Sequence, residues 1–229
     1  MPREDATETR RRLLGAAAEI FADKGYRDTT IAEICAKADA NIASVNYHFR
    51  NKESLYREAW LQSLHESLKI YPIDGGVSDD ASPEERLHGQ IKALLNRIAD
   101  ENNKEFLIVQ QEMASPTGLL MDVMREEIQP LKARMQAVIR ELLGPQTSDS
   151  RIQFCEVSII SQCINPAVIR KRVKHQERKH DHPRIEDIEA YTDHVITFSL
   201  GGIHAILDKT KLKNRGITKK SNRGPNKQG

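Results

Sequence analysis

Residues 29–55 read TTIAEICAKADANIASVNYHFRNKESL, and this stretch decides how the rest of the chain is interpreted. Thr30 and Glu33 have the spacing of a capping box, in which two residues satisfy each other's open backbone amides at the start of a helix. A short helix is therefore predicted at about 31–38.

A second short helix follows after a tight turn. Asp39 and Ala40 form the turn, and Asn41 is a suitable N-cap because its side chain can accept a hydrogen bond from an open amide. This helix is predicted at about 42–48, and a longer helix at about 52–71 follows it directly. Two short helices joined by a tight turn are typical of a helix-turn-helix.

The second short helix carries small and polar side chains where a buried helix would carry large apolar ones. Val45 and Phe49 lie four residues apart, on one face, and we expect them to face the core. The major groove of DNA is just wide enough for an α-helix, and side chains that reach base edges must be small or able to hydrogen-bond. The residues that meet this requirement are Ala43, Ser44, Asn46, Tyr47 and His48.

Side chains around this helix can bind DNA phosphates, which fix the position of a protein on the duplex without reading its sequence. The candidates are Thr30, Tyr47, Arg50 and Lys52. The open amides at the starts of the neighbouring helices add further anion sites. We therefore predict that this stretch binds double-stranded DNA.

Many positions between residues 10 and 60 agree in order and spacing with a known family. They are Leu14 through Phe21, Gly25, the Thr29-Thr30 pair, Ile34, the Asn-Tyr-His-Phe run at 46–49, and Asn51-Lys52-Glu53-x-Leu55. Together they resemble the N-terminal domain of the TetR family of bacterial transcription regulators. The resemblance implies that Ile42, Ala43, Ser44, Asn46, Tyr47 and His48 face the groove, and that Thr30 and Lys52 contact the DNA backbone.

Asp39 departs from the family pattern, which usually has glycine at this turn position. Aspartate tolerates left-handed backbone geometry better than most residues, so we expect the turn to be kept. A carboxylate close to phosphates is mildly unfavourable, and this puts the turn's own DNA contacts in doubt.

The later part of the chain resembles the family's effector domain. Gln111-Glu112-Met113-x-Ser115-Pro116-Thr117 and Ile128-x-Pro130-Leu131 are similar to the CecR-type subgroup. In the family, the last two long helices pair with their copies in a four-helix dimer interface. An apolar helix at about 150–165 and a double-striped helix at about 184–208 fit a homodimer independently. Two reading heads are also needed to span half-sites that lie roughly 34–36 Å apart.

Helical patterns cover most of the chain, and no convincing strand or repeat is present, so an all-α fold is predicted. We assign 7–55 to a helix-turn-helix domain, with a connecting helix to about 71. Residues 82–208 are assigned to a ligand-binding and dimerisation domain, and 209–229 to a basic tail that we expect to be disordered.

Two further details of the helices are predicted. Ser115-Pro116 is expected to open a helix, since serine can cap and proline fits a first turn. Pro130 interrupts the helical pattern that runs from Thr117 to Leu143, so either two helices meet there or one helix kinks.

The net charge of +2 is unevenly distributed over the 229 residues. Residues 209–229 hold eight basic residues and no acid, and subtracting eight from +2 leaves −6 for residues 1–208. The tail could attract DNA non-specifically or be an inert extension, and we slightly favour the second. Overall charge does not indicate a nucleic-acid binder, so the prediction rests on local placement.

Three cysteines in apolar helical patterns, Cys35, Cys155 and Cys163, indicate buried thiols in a reducing cytoplasm rather than disulfides or a redox sensor. The run His180-Asp181-His182 is interpreted as a solvated loop rather than a metal site. The charged start of the chain lacks a secretory signal, and no stretch approaches the ~20 apolar residues of a membrane span. We expect no membrane association, no metal and no cofactor.

These features predict a cytoplasmic, homodimeric transcriptional regulator, more often a repressor than an activator, released from a near-palindromic operator by an unidentified small-molecule effector. One alternative is a ligand-independent DNA-binding or architectural protein. The other is a helical-bundle enzyme, which would place clustered carboxylates or histidines on the inner faces of the later helices. The helical stripes contain none.

Overall fold

A computed structural model describes residues 2–174 and 187–221 of the chain, and all regular structure in these ranges is helical. The helices are α1 (Pro2–Lys24), α2 (Ile31–Ala38), α3 (Ile42–Phe49), α4 (Lys52–Ile70), α5 (Pro83–Ala99), α6 (Lys104–Ala114), α7 (Met121–Leu143), α8 (Asp149–Lys174) and α9 (Ile188–Ser221). The predicted all-α fold is confirmed. The run His180-Asp181-His182, the predicted start of the last helix and residues 222–229 of the tail lie outside the described residues.

The chain divides into two compact units. Unit 1 comprises Met1–Ile73 and Asn96–Leu131, and unit 2 comprises Asp74–Leu95 and Lys132–Gly229. Unit 1 therefore contains the predicted helix-turn-helix together with α4, α6 and the first part of α7. The domain boundary predicted near residue 82 does not follow this division, because α6 returns to pack on α1 and α4.

The core of unit 1 is built on α1, which packs against α2, α4 and α6. Phe21, Tyr56 and Trp60 are among its largest fully buried side chains, and the rings of Phe21 and Tyr56 meet edge to face with centroids 4.7 Å apart. Complete burial of one large apolar side chain contributes about 1.5–3 kcal/mol. The same cluster includes Ile108 of α6 and Leu120, so it holds residues from both chain segments of the unit.

In unit 2, α8 packs against α9. Their inner faces bury Ile152, Ile159, Cys163, Val195 and Ile203. Their outer faces keep large apolar side chains in solvent: Phe154 is 71% exposed, Val157 59% and Phe198 64%. A helix that is apolar on nearly every face, as predicted for 150–165, is thus covered on only part of its surface within one chain.

Two helix boundaries differ from the predictions. No helix opens at Ser115-Pro116, and α7 begins only at Met121, because the carboxylate of Glu112 holds the backbone amides of Thr117 and Gly118 at 2.8 Å in a turn. Pro130 lies inside α7, so one helix continues through it and the alternative of two helices meeting there is wrong. Among the described residues, no helix is long and apolar enough to cross a bilayer.

The basic tail is the second difference. Residues 209–221 continue α9 up to Ser221, whereas the prediction ended the helix near 208 and expected disorder beyond it. Lysine and arginine are good helix formers, and the segment holds five lysines and one arginine. Lack of apolar residues was therefore a poor indicator of where the helix ends.

Gly75 and Gly89 meet at close range in unit 2. A Cβ atom added at Gly89 would lie 2.3 Å from the backbone oxygen of Asp74, and one added at Gly75 would lie 2.3 Å from the backbone oxygen of Gly89. Gly75 also has a φ of +64°, a left-handed value that favours glycine. The loop that follows α4 therefore crosses helix α5 with the two backbones in direct contact.

Replacing Gly89 with alanine is expected to lower the free energy of unfolding by about 1–3 kcal/mol, since the backbone of Asp74 must move aside. Urea unfolding followed by circular dichroism measures the change. Gly15→Ala in α1 is the matched control, because its Cβ would meet nothing within 4 Å. It should gain up to about 1 kcal/mol from helix propensity. Equal stability of Gly89→Ala and the wild type would contradict the close crossing.

Candidate nucleic-acid interface

The capping box at the start of α2 is present. The Thr30 amide and hydroxyl both donate to Glu33 Oε2 at 2.9 Å, and the Glu33 amide donates to Thr30 Oγ1 at 3.2 Å. Lys24 Nζ adds an ion pair to Glu33 Oε1 at 2.6 Å. The Lys24 ammonium, followed by the amide and hydroxyl of Thr30, lowers the pKa of Glu33 to about 2. The helix start is thus held by a carboxylate that stays ionised.

Helix α3 begins at the predicted N-cap and has a sharply divided surface. Asn41 Oδ1 accepts hydrogen bonds from the Ser44 amide at 2.8 Å and the Ser44 hydroxyl at 3.0 Å. Val45 and Phe49 are buried as predicted, at 0% and 2% exposure. On the opposite side, Tyr47 is 79% exposed and Ile42 55%. An outer face of this kind is free to enter a groove.

The structure sorts the predicted groove residues into two groups. Ile42, Ala43, Asn46 and Tyr47 are exposed and share the outer face of α3. Ser44 and His48 are half-buried at its edges. The Ser44 hydroxyl is already bonded to Asn41, and the His48 ring meets the Tyr47 ring edge to face at 4.9 Å. These two side chains have less freedom to meet a base than the other four.

Two of the predicted phosphate ligands, Thr30 and Lys52, lie at the starts of the helices before and after α3. Thr30 is exposed, although its hydroxyl serves the cap of α2. Lys52 begins α4 and places Nζ 4.3 Å from the centroid of the Tyr26 ring. Burial against that ring lowers the pKa of Lys52. Its ammonium is held in one place instead of moving freely in solvent, which favours a defined contact.

Two residues that flank α3 have positive φ angles that are unusual for side chains other than glycine. Asp39, in the turn before α3, has φ 48° and ψ 55°. Arg50, directly after α3, has φ 68° and ψ −46°. The predicted left-handed turn at Asp39 is confirmed. Such conformations cost of order 1–3 kcal/mol and persist where the surrounding structure imposes them.

Two arginines of α1 contact the end of α3 and the turn before it, and neither was among the predicted site residues. The Arg10 guanidinium lies 5.3 Å from the centroid of the Phe49 ring and also pairs with Glu58 of α4. Arg12 Nη1 lies 3.6 Å from Asp39 Oδ2. No local pattern links these residues, since each contact joins segments that are far apart in sequence.

Residues at the end of α6 form hydrogen bonds with the end of α1 and with α4. Gln111 Nε2 donates to the backbone oxygens of Asp23 at 2.5 Å and Ala22 at 3.2 Å, at the end of α1. The Tyr56 hydroxyl of α4 donates to Glu112 Oε2 at 3.0 Å. Burial and the neighbouring Glu112 carboxylate raise the pKa of Tyr56, so its hydroxyl remains a donor. Gln111 and Glu112 lie in the motif that predicted the CecR-type subgroup.

The cysteines and the possible metal-binding side chains were the other candidates for chemical function. Cys35, Cys155 and Cys163 are free and buried, as predicted, and burial raises the pKa of Cys163 to about 12. Thiols of this kind are unreactive. Within the described residues, no group of histidine, cysteine, aspartate and glutamate side chains could hold a metal ion.

Comparison with known protein families agrees with both parts of the chain. Residues 13–59 match the domain described as "Bacterial regulatory proteins, tetR family". Residues 83–203, more than half of the chain, match the domain described as "HTH-type transcriptional dual regulator CecR, C-terminal domain". The chain belongs to the TetR family of transcriptional regulators, with a CecR-type C-terminal domain. The prediction of the family and subgroup is confirmed, and the family is one of regulators rather than enzymes.

Curated relatives of this TetR-family chain include regulators from two bacteria. The chain is 29% identical over 156 residues to a "Probable acrEF/envCD operon repressor" of Escherichia coli, covering 66% of this chain and 64% of that protein. It is 38% identical over 99 residues to the HTH-type transcriptional regulator TtgR of Pseudomonas putida, covering 43% of this chain and 45% of TtgR. The match thus spans less than two thirds of either relative.

Solved structures share the fold over most of the TetR-family chain. A TetR-like transcriptional regulator from Rhodococcus sp. RHA1 has a TM-score of 0.62 at 15% identity, covering 86% of this chain and 96% of that one. A second transcriptional regulator from the same organism has a TM-score of 0.61 at 16% identity, covering 85% and 95%. At these identities the likeness concerns the fold alone.

The low pKa of Glu33 gives a pH-dependent prediction for the α2 cap. A lowered pKa means that the ionised carboxylate stabilises the folded state at neutral pH, and that this stabilisation fades as the pH falls from about 4.5 toward about 2. Glu33→Gln keeps the capping geometry but removes the charge. The thermal unfolding midpoint of the variant should lie below that of the wild type at neutral pH, and the two should converge in this acidic window.

Glu66→Gln in α4 is the matched control for that experiment. The Glu66 carboxylate accepts a hydrogen bond from the neutral side chain of Gln62 at 2.7 Å, so the substitution makes the same chemical change without breaking an ion pair in the described structure. A difference between Glu33→Gln and the wild type that stays constant from neutral pH to pH 3 would show that the Lys24 pair does not hold the cap.

Proposed function

We propose that the protein is a homodimeric transcriptional repressor that binds a near-palindromic operator through α3 and is released by a small-molecule effector. The observation that carries this proposal is the divided surface of α3. Its inner face is anchored by the buried Val45 and Phe49, while Asn46 and Tyr47 stand exposed on the outer face. Only a helix held firmly from behind can present side chains to a groove in a fixed register.

In the proposed complex, the exposed face of α3 contacts base edges. Asn46 is suited to adenine, because its amide can donate to N7 and accept from N6 of one base. The Ala43 methyl group can meet a thymine methyl group. Ile42 and Tyr47 extend the contact, and Ser44 and His48 take part from the edges of the helix.

Phosphate contacts position the helix-turn-helix domain on the duplex. Lys52 is held over the Tyr26 ring at the start of α4, and Arg50, two residues earlier in the chain, is exposed. Thr30 is exposed at the start of α2 and contributes a further contact. We propose that these residues fix the position along the duplex at which α3 contacts the bases.

The proposed homodimer forms through α8 and α9. Support comes from the large apolar side chains on their outer faces, since Phe154 and Phe198 remain 71% and 64% exposed in the single chain. Gly201 and Gly202 are exposed beside Phe198, and a Cβ added to either would meet nothing within 4 Å. A second copy could therefore approach closely and cover the aromatic rings.

Release by a ligand is proposed as a population shift. An effector bound among the helices of residues 82–208 would favour a conformation in which two heads no longer match the half-site spacing. The E. coli relative is described as an operon repressor, which supports repression as the direction of control. Thermal shift on a metabolite and drug panel separates this proposal from ligand-independent binding, which gives no stabilisation by any compound.

Binding-site selection from random duplex DNA is expected to enrich a near-palindrome. Asn46→Ala and Tyr47→Ala should each weaken binding to the selected operator by roughly tenfold or more, since a good bidentate base contact is worth about 1–3 kcal/mol. Fluorescence anisotropy measures the dissociation constants. Circular dichroism checks that α3 remains folded.

Asn102→Ala provides the matched control, because Asn102 is exposed in the turn between α5 and α6. It should leave operator affinity unchanged. Failure to enrich any near-palindrome at moderate salt would contradict the regulator proposal. Full operator affinity in Asn46→Ala would remove that residue from the reading face while leaving the rest of the proposal intact.

Phe198→Glu is expected to raise the dimer dissociation constant at least tenfold, because a carboxylate would be buried in the interface without a partner. Sedimentation velocity measures the change, and Phe154→Glu should act in the same direction. Met121→Glu is the matched control, since Met121 is 61% exposed at the start of α7, outside the proposed interface. Unchanged dimers in both phenylalanine variants would place the interface elsewhere.

A further inference from the structure

The two residues that flank α3 carry opposite charges at backbone positions with positive φ, a conformation that favours glycine. Among the described residues other than glycine, Asp39 and Arg50 are the ones with positive φ. Glycine would adopt these conformations without strain. A charged side chain that is kept at the expense of strain calls for an explanation from function. For Arg50 the proposed phosphate contact supplies one, but for Asp39 it does not.

The Asp39 carboxylate is not needed to build the turn. The turn is held by backbone hydrogen bonds, from the Asp39 amide to Ala36 O at 3.4 Å and from the Ala40 amide to Cys35 O at 3.0 Å. The Asp39 side chain itself is completely exposed. Its one ion pair among the described residues is with Arg12, across 3.6 Å.

Arg12 is a cation that is partly open to solvent. Its side chain is 36% exposed, and because its Nε atom is buried, only the terminal nitrogens are available to a group that arrives from solvent. Its pair with Asp39 is long and lies at the surface, and pairs of that kind are weak. A phosphate is a stronger partner for a guanidinium, because it can accept two parallel hydrogen bonds. Arg12 can therefore exchange Asp39 for a phosphate.

We propose that Asp39 is a specificity-determining residue that limits binding to non-operator DNA by neutralising Arg12. The inference rests on the proposed function. On a random duplex, the Asp39 carboxylate keeps Arg12 occupied and repels phosphates beside the start of α3. On the operator, the base contacts of α3 hold the head close enough for a phosphate to displace Asp39 from Arg12. Asp39 thus weakens non-specific binding more than specific binding.

The test is a double-mutant cycle with Asp39→Asn and Arg12→Gln, measured by anisotropy on a random-sequence duplex and on the selected operator over a salt series. Asparagine has the shape of aspartate and also tolerates left-handed geometry. Asp39→Asn should tighten binding to the random duplex by about threefold to tenfold and steepen its salt slope by about 0.9, the value for one added phosphate contact. Operator affinity should rise less, so the specificity ratio falls.

Arg12→Gln should abolish most of this gain when it is combined with Asp39→Asn. A gain that persists in the double variant would overturn the role of Arg12, and an unchanged specificity ratio in Asp39→Asn would overturn the role of Asp39. Asp39→Gly should reproduce the effect of Asp39→Asn and raise the thermal unfolding midpoint, because it also relieves the backbone strain.

Asp122→Asn and Arg125→Gln form the matched control cycle. These residues make an exposed ion pair within α7, with Arg125 Nη1 3.5 Å from Asp122 Oδ1, and they undergo the same changes of charge. If the coupling in this control cycle were as large as that between Asp39 and Arg12, the effect on DNA binding would come from the change in net charge, and the inference would be overturned. The proposed function fails separately, if the wild type enriches no operator. In that case, loss of the Asp39→Asn gain on the random duplex still overturns the inference.

Discussion

The position of α3 depends on the burial of two side chains on its inner face, Val45 and Phe49. The helix has eight residues, too few to be stable alone in water, so its geometry must come from its surroundings. The two buried side chains attach it to the core of unit 1, and Asn41 satisfies its open amides. The direction in which Asn46 and Tyr47 point follows from this attachment.

Much of the positive charge of unit 1 is balanced within the unit. Lys24 pairs with Glu33, Lys37 with Glu19 at 2.7 Å, and Arg10 with Glu58. Such exposed pairs add little stability. Their larger effect is on the electric field, since a head with few free cations attracts a polyanion weakly. Affinity for DNA would then depend on shape, on base contacts and on the joining of two heads.

The accuracy of sequence-based prediction followed the range of the interactions involved. Thr30 and Asn41 were predicted as caps because a cap depends only on residues three positions away. The inward placement of Val45 and Phe49 followed from helical period. The false helix start at Ser115-Pro116 shows the limit of local patterns, because Glu112 captures the following amides by a contact specific to this fold.

For the candidate site, the outer face of α3 could be derived from the sequence, but its supports could not. Gln111 reaches the end of α1 across nearly ninety residues, and Arg12 reaches Asp39 from a different helix. No periodicity encodes contacts of this kind. The assignment of Ile42 to the same face came from the family resemblance, and the structure places it among the exposed side chains.

The core of unit 1 also limits how regulators of this kind can recombine. Ile108 and Leu120 are buried in the same cluster as Phe21 and Trp60, although the loop after α4 looks like a natural boundary in the sequence. A chimaera joined at that loop would give the reading head a foreign α6 to pack against. Exchange of C-terminal domains between relatives should therefore preserve the packing of unit 1 when residues 96–131 are kept with residues 1–73, so the segment that packs as one unit is discontinuous in the sequence.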